Sequence, residues 1–154
     1  MSKYLTVFFI SMIPLLELRF AVPIAVGMDL PYLPALAVCV LGNMVPVPFL
    51  IKFSKELVSW LAKKRVLGDF FQRLIDKADA KAKSIGRYEL LGVMLFVALP
   101  WPGTGAWTGS LVAALLRLRL FPAILAVLAG VLLCGLIMGV VSFGLLEAIG
   151  FALP

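Results

Sequence analysis

The chain has 154 residues, 63% of them hydrophobic, a mean hydropathy of +1.11, and 14 Lys and Arg against 8 Asp and Glu, giving a net charge of +6. Soluble domains are roughly 45–50% apolar, so the composition points to a membrane protein with one integral domain. There is no His, Cys39 and Cys134 sit singly in apolar runs as small buried hydrophobes, and no Gly-rich nucleotide loop follows a strand, so no metal, cofactor or enzyme site is expected.

The first residues are not expected to be a removable signal: Lys3 gives only a weak basic start, and no small-residue cleavage site follows before Glu17 and Arg19. Tyr4–Leu16 is an apolar run of 13 residues. At 1.5 Å per residue it covers about 20 Å of a roughly 30 Å hydrocarbon core. Pro14 ends it, Glu17-Leu18-Arg19 follows, and Phe20–Val26 is apolar again with Pro23 inside. Two readings fit: a kinked spanning helix, or a re-entrant hairpin turning near Pro14–Arg19. Leu33–Ile51 is a clear span, interrupted by Gly42 and Asn43 and kinked in its last turns by Pro46 and Pro48.

Composition changes between Lys52 and Glu89, where ten basic residues face five acidic ones. Leu57, Trp60, Leu61, Leu67, Phe70, Phe71, Leu74, Ile75 and Ala78 recur at helical spacing. This predicts an amphipathic helix, or two broken near Gly68, on the cytoplasmic leaflet, since loops rich in Lys and Arg stay inside.

The next apolar stretch, Leu90–Leu116, contains Pro100-Trp101-Pro102-Gly103-Thr104-Gly105-Ala106-Trp107-Thr108-Gly109-Ser110. Two prolines and three glycines cannot make an ordinary membrane helix. In lipid, a broken backbone survives only where protein buries it or a wet cavity borders it. Arg117 and Arg119 then precede the last apolar run, Phe121–Leu146. If Leu90–Leu116 crossed the membrane, these arginines would lie outside; a re-entrant hairpin keeps them in the cytoplasm and is the better reading.

The halves correspond. Ile13–Arg19 aligns with Leu99–Gly105 and, two residues of extra loop later, Leu36–Gly42 aligns with Ile124–Gly130. The expected fold is an all-α inverted repeat of re-entrant hairpin plus span: residues 1–53 the first repeat, 54–87 the linker, 88–154 the second. Hairpin breaks fall at Pro14, Pro23, Pro100, Pro102 and Gly103. Inverted repeats with broken elements typify secondary transporters, which bind substrate near the midplane.

Glu17 and Arg19 are the sole charges between Tyr4 and Val26, and charge in lipid is expensive unless paired or hydrated. They are either an ion pair fixing the hairpin, or a site in which Arg19 holds an anion and Glu17 carries a coupling proton, tuned by burial and Arg19. Two apart, they share one cavity only if the helix is broken. Thr104 is placed to cap a half-helix running to Leu116, whose first backbone donors, including that of Gly105, would face a phosphate or carboxylate. Thr108 and Ser110 would add hydroxyls; Trp101 and Trp107 are either interfacial aromatic anchors or, since they flank the break rather than the ends of a span, walls of the cavity. Asn43 contacts substrate or satisfies a neighbour. Gly135 and Gly139 form a small-residue pair for a helix contact, within the fold or across a homodimer.

On Glu17-Leu18-Arg19 after Pro14, the Pro100–Trp107 motif and the whole-length layout, the chain resembles the small multidrug export family, related to the DedA or SNARE-associated superfamily. That resemblance implies a multi-pass protein of a prokaryotic cell membrane, two re-entrant hairpins, and movement of undecaprenyl phosphate or similar lipid carriers coupled to an ion gradient; the family name implies drug export. Three functions are open: ion-coupled transport of an anionic lipid headgroup or amphiphile, export of small cationic drugs, or a non-transport role in membrane organisation. The partners expected are the bilayer, that substrate and a second copy of the chain, without nucleic acid.

Overall fold

Breaks at prolines and glycines divide the apolar sequence into helices too short to cross a bilayer and two stretches that are long enough. The structure is a computed structural model describing residues 2–14, 16–62, 72–73, 76 and 87–148. The helices are α1 (Ser2–Met12), α2 (Glu17–Gly27), α3 (Tyr32–Met44), α4 (Val47–Ala62), α5 (Arg87–Ala98), α6 (Ala106–Leu115) and α7 (Leu120–Ala148), with no strand among the described residues. Most of the expected amphipathic segment, including the break near Gly68, lies outside them.

Two stretches reach spanning length: Tyr32–Glu56, of 25 residues, and Leu120–Ser142, of 23. The first is α3 running into α4 across Val45 and Pro46. Pro46 and Pro48 have no amide hydrogen, so the ladder breaks there and resumes with Leu50 donating to the Pro46 carbonyl at 2.9 Å. The 10 to 12 residues of α1, α2, α5 and α6 each cover about 15–18 Å, roughly half of a hydrocarbon core. The chain is thus an all-helical membrane protein. Its outer face suits that solvent: Leu33, Phe49 and Val140 are each about three-quarters exposed.

Pro23 does not break a hairpin. It lies within α2, whose helix continues through it to Gly27. The missing amide removes one rung, and α2 is otherwise held by burial of Leu18, Val22 and Ala25.

Matching contacts recur in the two halves. A Cβ on Gly42 of α3 would overlap the Ser11 hydroxyl and the Phe8 carbonyl of α1. One on Gly130 of α7 would lie 2.6 Å from the Met94 carbonyl and 2.7 Å from Val97 Cβ of α5. Phe8 and Ser11 precede Met94 and Val97 by 86 positions (94 less 8, 97 less 11), and Gly42 precedes Gly130 by 88. Glycine at each place lets two helices approach backbone to backbone.

The second arms also end alike. Leu30 donates to Ala25 and Asp29 to Val26; Leu118 donates to Ala113 and Arg117 to Ala114. Asp29 (φ 57) and Arg117 (φ 53) both hold the left-handed position of a Schellman turn. All four pairs are 88 positions apart (113 less 25, 118 less 30), as are the helix-starting bonds Ala35 to Pro31 and Ala123 to Arg119. The two extra residues therefore lie at the second hairpin tip, and this register puts Gly105, not Gly103, opposite Glu17.

The Gly135 and Gly139 pair works inside the fold. Leu36 and Leu18 pack on Gly135, the Tyr32 ring lies over Gly139, and the Tyr32 hydroxyl donates to the Gly135 carbonyl at 2.9 Å.

Candidate functional site at the meeting of two hairpin tips

The two breaks face each other. At the first, Pro14 stops α1, and Glu17 opens α2 with a left-handed backbone (φ 48), its amide donating to the Ile13 carbonyl at 3.0 Å. A residue with a Cβ adopts that conformation at a cost of about 1–2 kcal/mol, which tertiary contacts must offset. This kink is the break that lets Glu17 and Arg19, two positions apart, serve one junction. Both are buried, at 6% and 8% exposure.

At the second break, Pro100 and Pro102 remove donors and Gly103 (φ 88) makes the turn. Gly105 stands at the cap position of α6 with an extended backbone (φ 169) and no side chain to offer. The first amides of α6 have no partner within the helix. Glu17 supplies it from the other hairpin: the Ala106 amide donates to Oε2 at 3.1 Å and the Trp107 amide to Oε1 at 3.2 Å. The carboxylate also lies where the positive end of the α6 dipole is felt.

Two further side chains cross. Arg19 donates through Nη1 to the Trp101 carbonyl and through Nη2 to Thr104 Oγ1 at 3.5 Å. In the opposite sense, Trp107 Nε1 donates to the Met12 carbonyl at the end of α1, at 3.2 Å. Arg19 and Trp107 are themselves 88 positions apart (107 less 19), so each second arm sends one donor side chain into the break of the other hairpin.

Several expected roles are reassigned. Thr104 does not cap α6; its hydroxyl lies 2.7 Å from the Leu99 carbonyl and 2.9 Å from that of Trp101, closing the loop on itself while accepting from Arg19. Thr108 donates to the Gly105 carbonyl at 3.4 Å and Ser110 to that of Ala106, so both hydroxyls serve the α6 backbone rather than the junction. Trp101 is 71% exposed and contributes its carbonyl, not a cavity wall. Trp107 does border a groove of about 540 Å³, lined mainly by apolar residues such as Met12, Val45, Phe49 and Phe53 and also by Lys52 and Glu56.

Asn43 is buried behind the junction, and its Oδ1 has no hydrogen-bond partner. With Glu17, Arg19, Gly105, Ala106 and Cys134 it lines a chamber of about 10 Å³. The Met12 and Trp101 carbonyls have no signal in the sequence; they act as acceptors because the breaks leave them outside any helix ladder.

The sequence pattern of a family described as "Putative small multi-drug export protein" matches residues 17–137. The chain belongs to this small multi-drug export family. The matched region opens at Glu17 and contains every residue named at the junction except Met12, Ile13 and Pro14. Comparison with curated proteins and with solved structures finds no match. Membership of the small multi-drug export family, with two helices of spanning length, fits membrane transport.

Proposed function

We propose that this protein is a secondary transporter of the cell membrane, an inverted repeat of two re-entrant hairpins and two spans, moving the anionic headgroup of an amphiphile such as a polyprenyl phosphate. The observation that carries the reading is the Glu17 carboxylate on the Ala106 and Trp107 amides. A helix amino terminus at a broken membrane segment is an anion site, and here an internal carboxylate occupies it. A substrate phosphate takes the same donors once Glu17 is protonated and leaves, and Arg19 turns from the Trp101 carbonyl to the incoming charge. Proton and anion then move together. The groove beside Trp107 gives an apolar tail a place next to the headgroup site.

The recurrence of the Gly42 and Gly130 contacts and of the two Schellman turns supports the repeat. The Lys55 ammonium donates to the Leu118 carbonyl, which brings the turn carrying Arg117 and Arg119 to the end of the bundle where the basic segment begins. That supports re-entry and a cytoplasmic position for both.

Cationic drug export is the second reading, favoured by the description of the family; in it Glu17 recognises the cation. Flux in proteoliposomes separates the two. Under the anion reading, Arg19→Ala abolishes uptake of a lipid phosphate and Glu17→Gln removes its dependence on a proton gradient. Under the drug reading, Glu17→Gln abolishes drug flux and Arg19→Ala keeps it. Wild-type lipid phosphate flux in Arg19→Ala refutes the proposal. If neither tip variant changes flux while removal of basic residues between Lys63 and Lys83 changes membrane organisation, the protein is not a transporter.

A further inference from the structure

The Asn43 amide oxygen is the one part of the junction that the closed arrangement leaves unexplained. It is 2% exposed and unpaired, on the last turn of α3 before the Val45–Pro46 break. Buried acceptors in native structures have partners, so an orphan beside a proton-binding group asks for a donor. An ionised carboxylate only accepts, and Glu17 in that state is served by the Ala106 and Trp107 amides. A protonated carboxyl becomes a donor through its O–H and keeps full acceptor capacity only at its carbonyl oxygen, so it no longer serves both amides.

We propose that Asn43 Oδ1 is the acceptor for the protonated form of Glu17. On taking a proton from water on one side of the membrane, the carboxyl leaves the α6 amides and donates its O–H to Asn43, directly or through one water in the chamber between them. The two α6 amides are thereby freed for the anion. Release of the anion lets Glu17 return to them and give its proton to the opposite side. The chamber holds about 10 Å³, the room for a single water. Among the described residues, the charged and titratable groups lining it beside Glu17 are Arg19 from α2 and the Cys134 thiol from α7; α3 contributes Asn43, α5 contributes Val97, and α6 its amides. Asn43 is thus the uncharged oxygen acceptor among the side chains of that wall.

The inference rests on the coupling role proposed for Glu17, and one feature of the sequence separates the two. Asn43 is the only asparagine in the chain, so ¹³C-asparagine labels a single side chain in the unmodified protein. Infrared difference spectra of the labelled full chain in liposomes, taken through a pH titration, read the Asn43 carbonyl and the Glu17 carboxyl together. The expected result is a shift of the Asn43 band with the midpoint of the Glu17 carboxyl band, absent in Glu17→Gln. In Asn43→Leu the carboxyl band moves to higher frequency and Glu17 binds its proton about tenfold more weakly, the loss of one hydrogen bond to the protonated state; Asn43→Asp retains an acceptor and the lower frequency. Titration of Glu17 with an unmoved Asn43 band overturns this inference and leaves the transport reading standing. A Glu17 that never titrates while flux continues overturns both.

Discussion

Gly105→Ala is the sharpest perturbation of the junction, because it adds one methyl and removes no donor or acceptor. The extended backbone at Gly105 is open to any residue, so the demand for glycine is steric. A Cβ there would overlap Glu17 Oε2 and stand 2.6 Å from Cδ and 2.9 Å from Oε1. The carboxylate must withdraw, and with it go the bonds to Ala106 and Trp107. Hydrogen bonds to charged groups contribute about 1.5–3 kcal/mol each. Partial retreat of the flexible side chain keeps some of this, so the expected loss is about 3 kcal/mol. Denaturant unfolding in detergent, with Glu17→Asp as second background, measures it. The aspartate carboxylate is one methylene further from Gly105, so Gly105→Ala should cost at least ~1 kcal/mol less there, a coupling typical of residues in contact. Wild-type stability for Gly105→Ala, or simple additivity of the two substitutions, would refute the assignment of Glu17 as the cap of α6.

Arg19→Lys keeps the charge but cannot fork to the Trp101 carbonyl and Thr104 hydroxyl together, and should lower stability by about 1–2 kcal/mol in the same unfolding assay. Thr104→Val removes the other end of that fork and the loop closure onto Leu99, so Arg19→Lys should cost less in its presence. Gly42→Ala and Gly130→Ala should each lower the midpoint by the equivalent of about 1–3 kcal/mol, by forcing α1 from α3 and α5 from α7. Gly92→Ala, which meets nothing within 4 Å on α5, should instead be neutral or gain up to ~1 kcal/mol of helix propensity. Equal effects at all three glycines would show that close helix approach is not what Gly42 and Gly130 provide.

The breaks were legible because their cause is local. Pro14, Pro100, Pro102 and Gly103 interrupt a helix whatever surrounds them, and Glu17 and Arg19 are conspicuous as charges in apolar sequence. Pro23 misled because one missing rung is tolerated when Leu18, Val22 and Ala25 bury the same helix. Thr104 misled for a different reason. Capping preference describes what a nearby side chain can do for a helix start, whereas here a carboxylate 89 positions earlier in the chain reaches the same amides. The expected correspondence of the halves puts the two extra residues after Gly105, whereas the 88-position offset begins at the tip, where prolines and glycines align with anything. The regular contacts at Gly42 and Gly130 and the turns at Asp29 and Arg117 fix it. The orphaned Asn43 oxygen has no sequence signature, because burial and pairing are properties of packing.

In the proposed transport cycle, how the halves interlock decides which contacts move. Each first arm packs on the span of its own half, α1 on α3 and α5 on α7, through the Gly42 and Gly130 contacts. Each second arm reaches across: α2 lies against α7, and α6 against α4. Rocking of one half on the other therefore leaves the first-arm contacts intact and must slide the second arms. The native Cys134 on α7 lines the same chamber as Leu18 on α2, so Leu18→Cys offers a cross-link over a sliding surface. Ser11→Cys on α1 and native Cys39 on α3 offer one over a fixed surface. A short bifunctional thiol reagent should stop flux in the first variant and, once linked, leave it above half of the unlinked rate in the second. Flux that survives the Leu18→Cys to Cys134 link would mean that α2 travels with α7, and that the junction opens by bending at Pro14 and Gly103 instead.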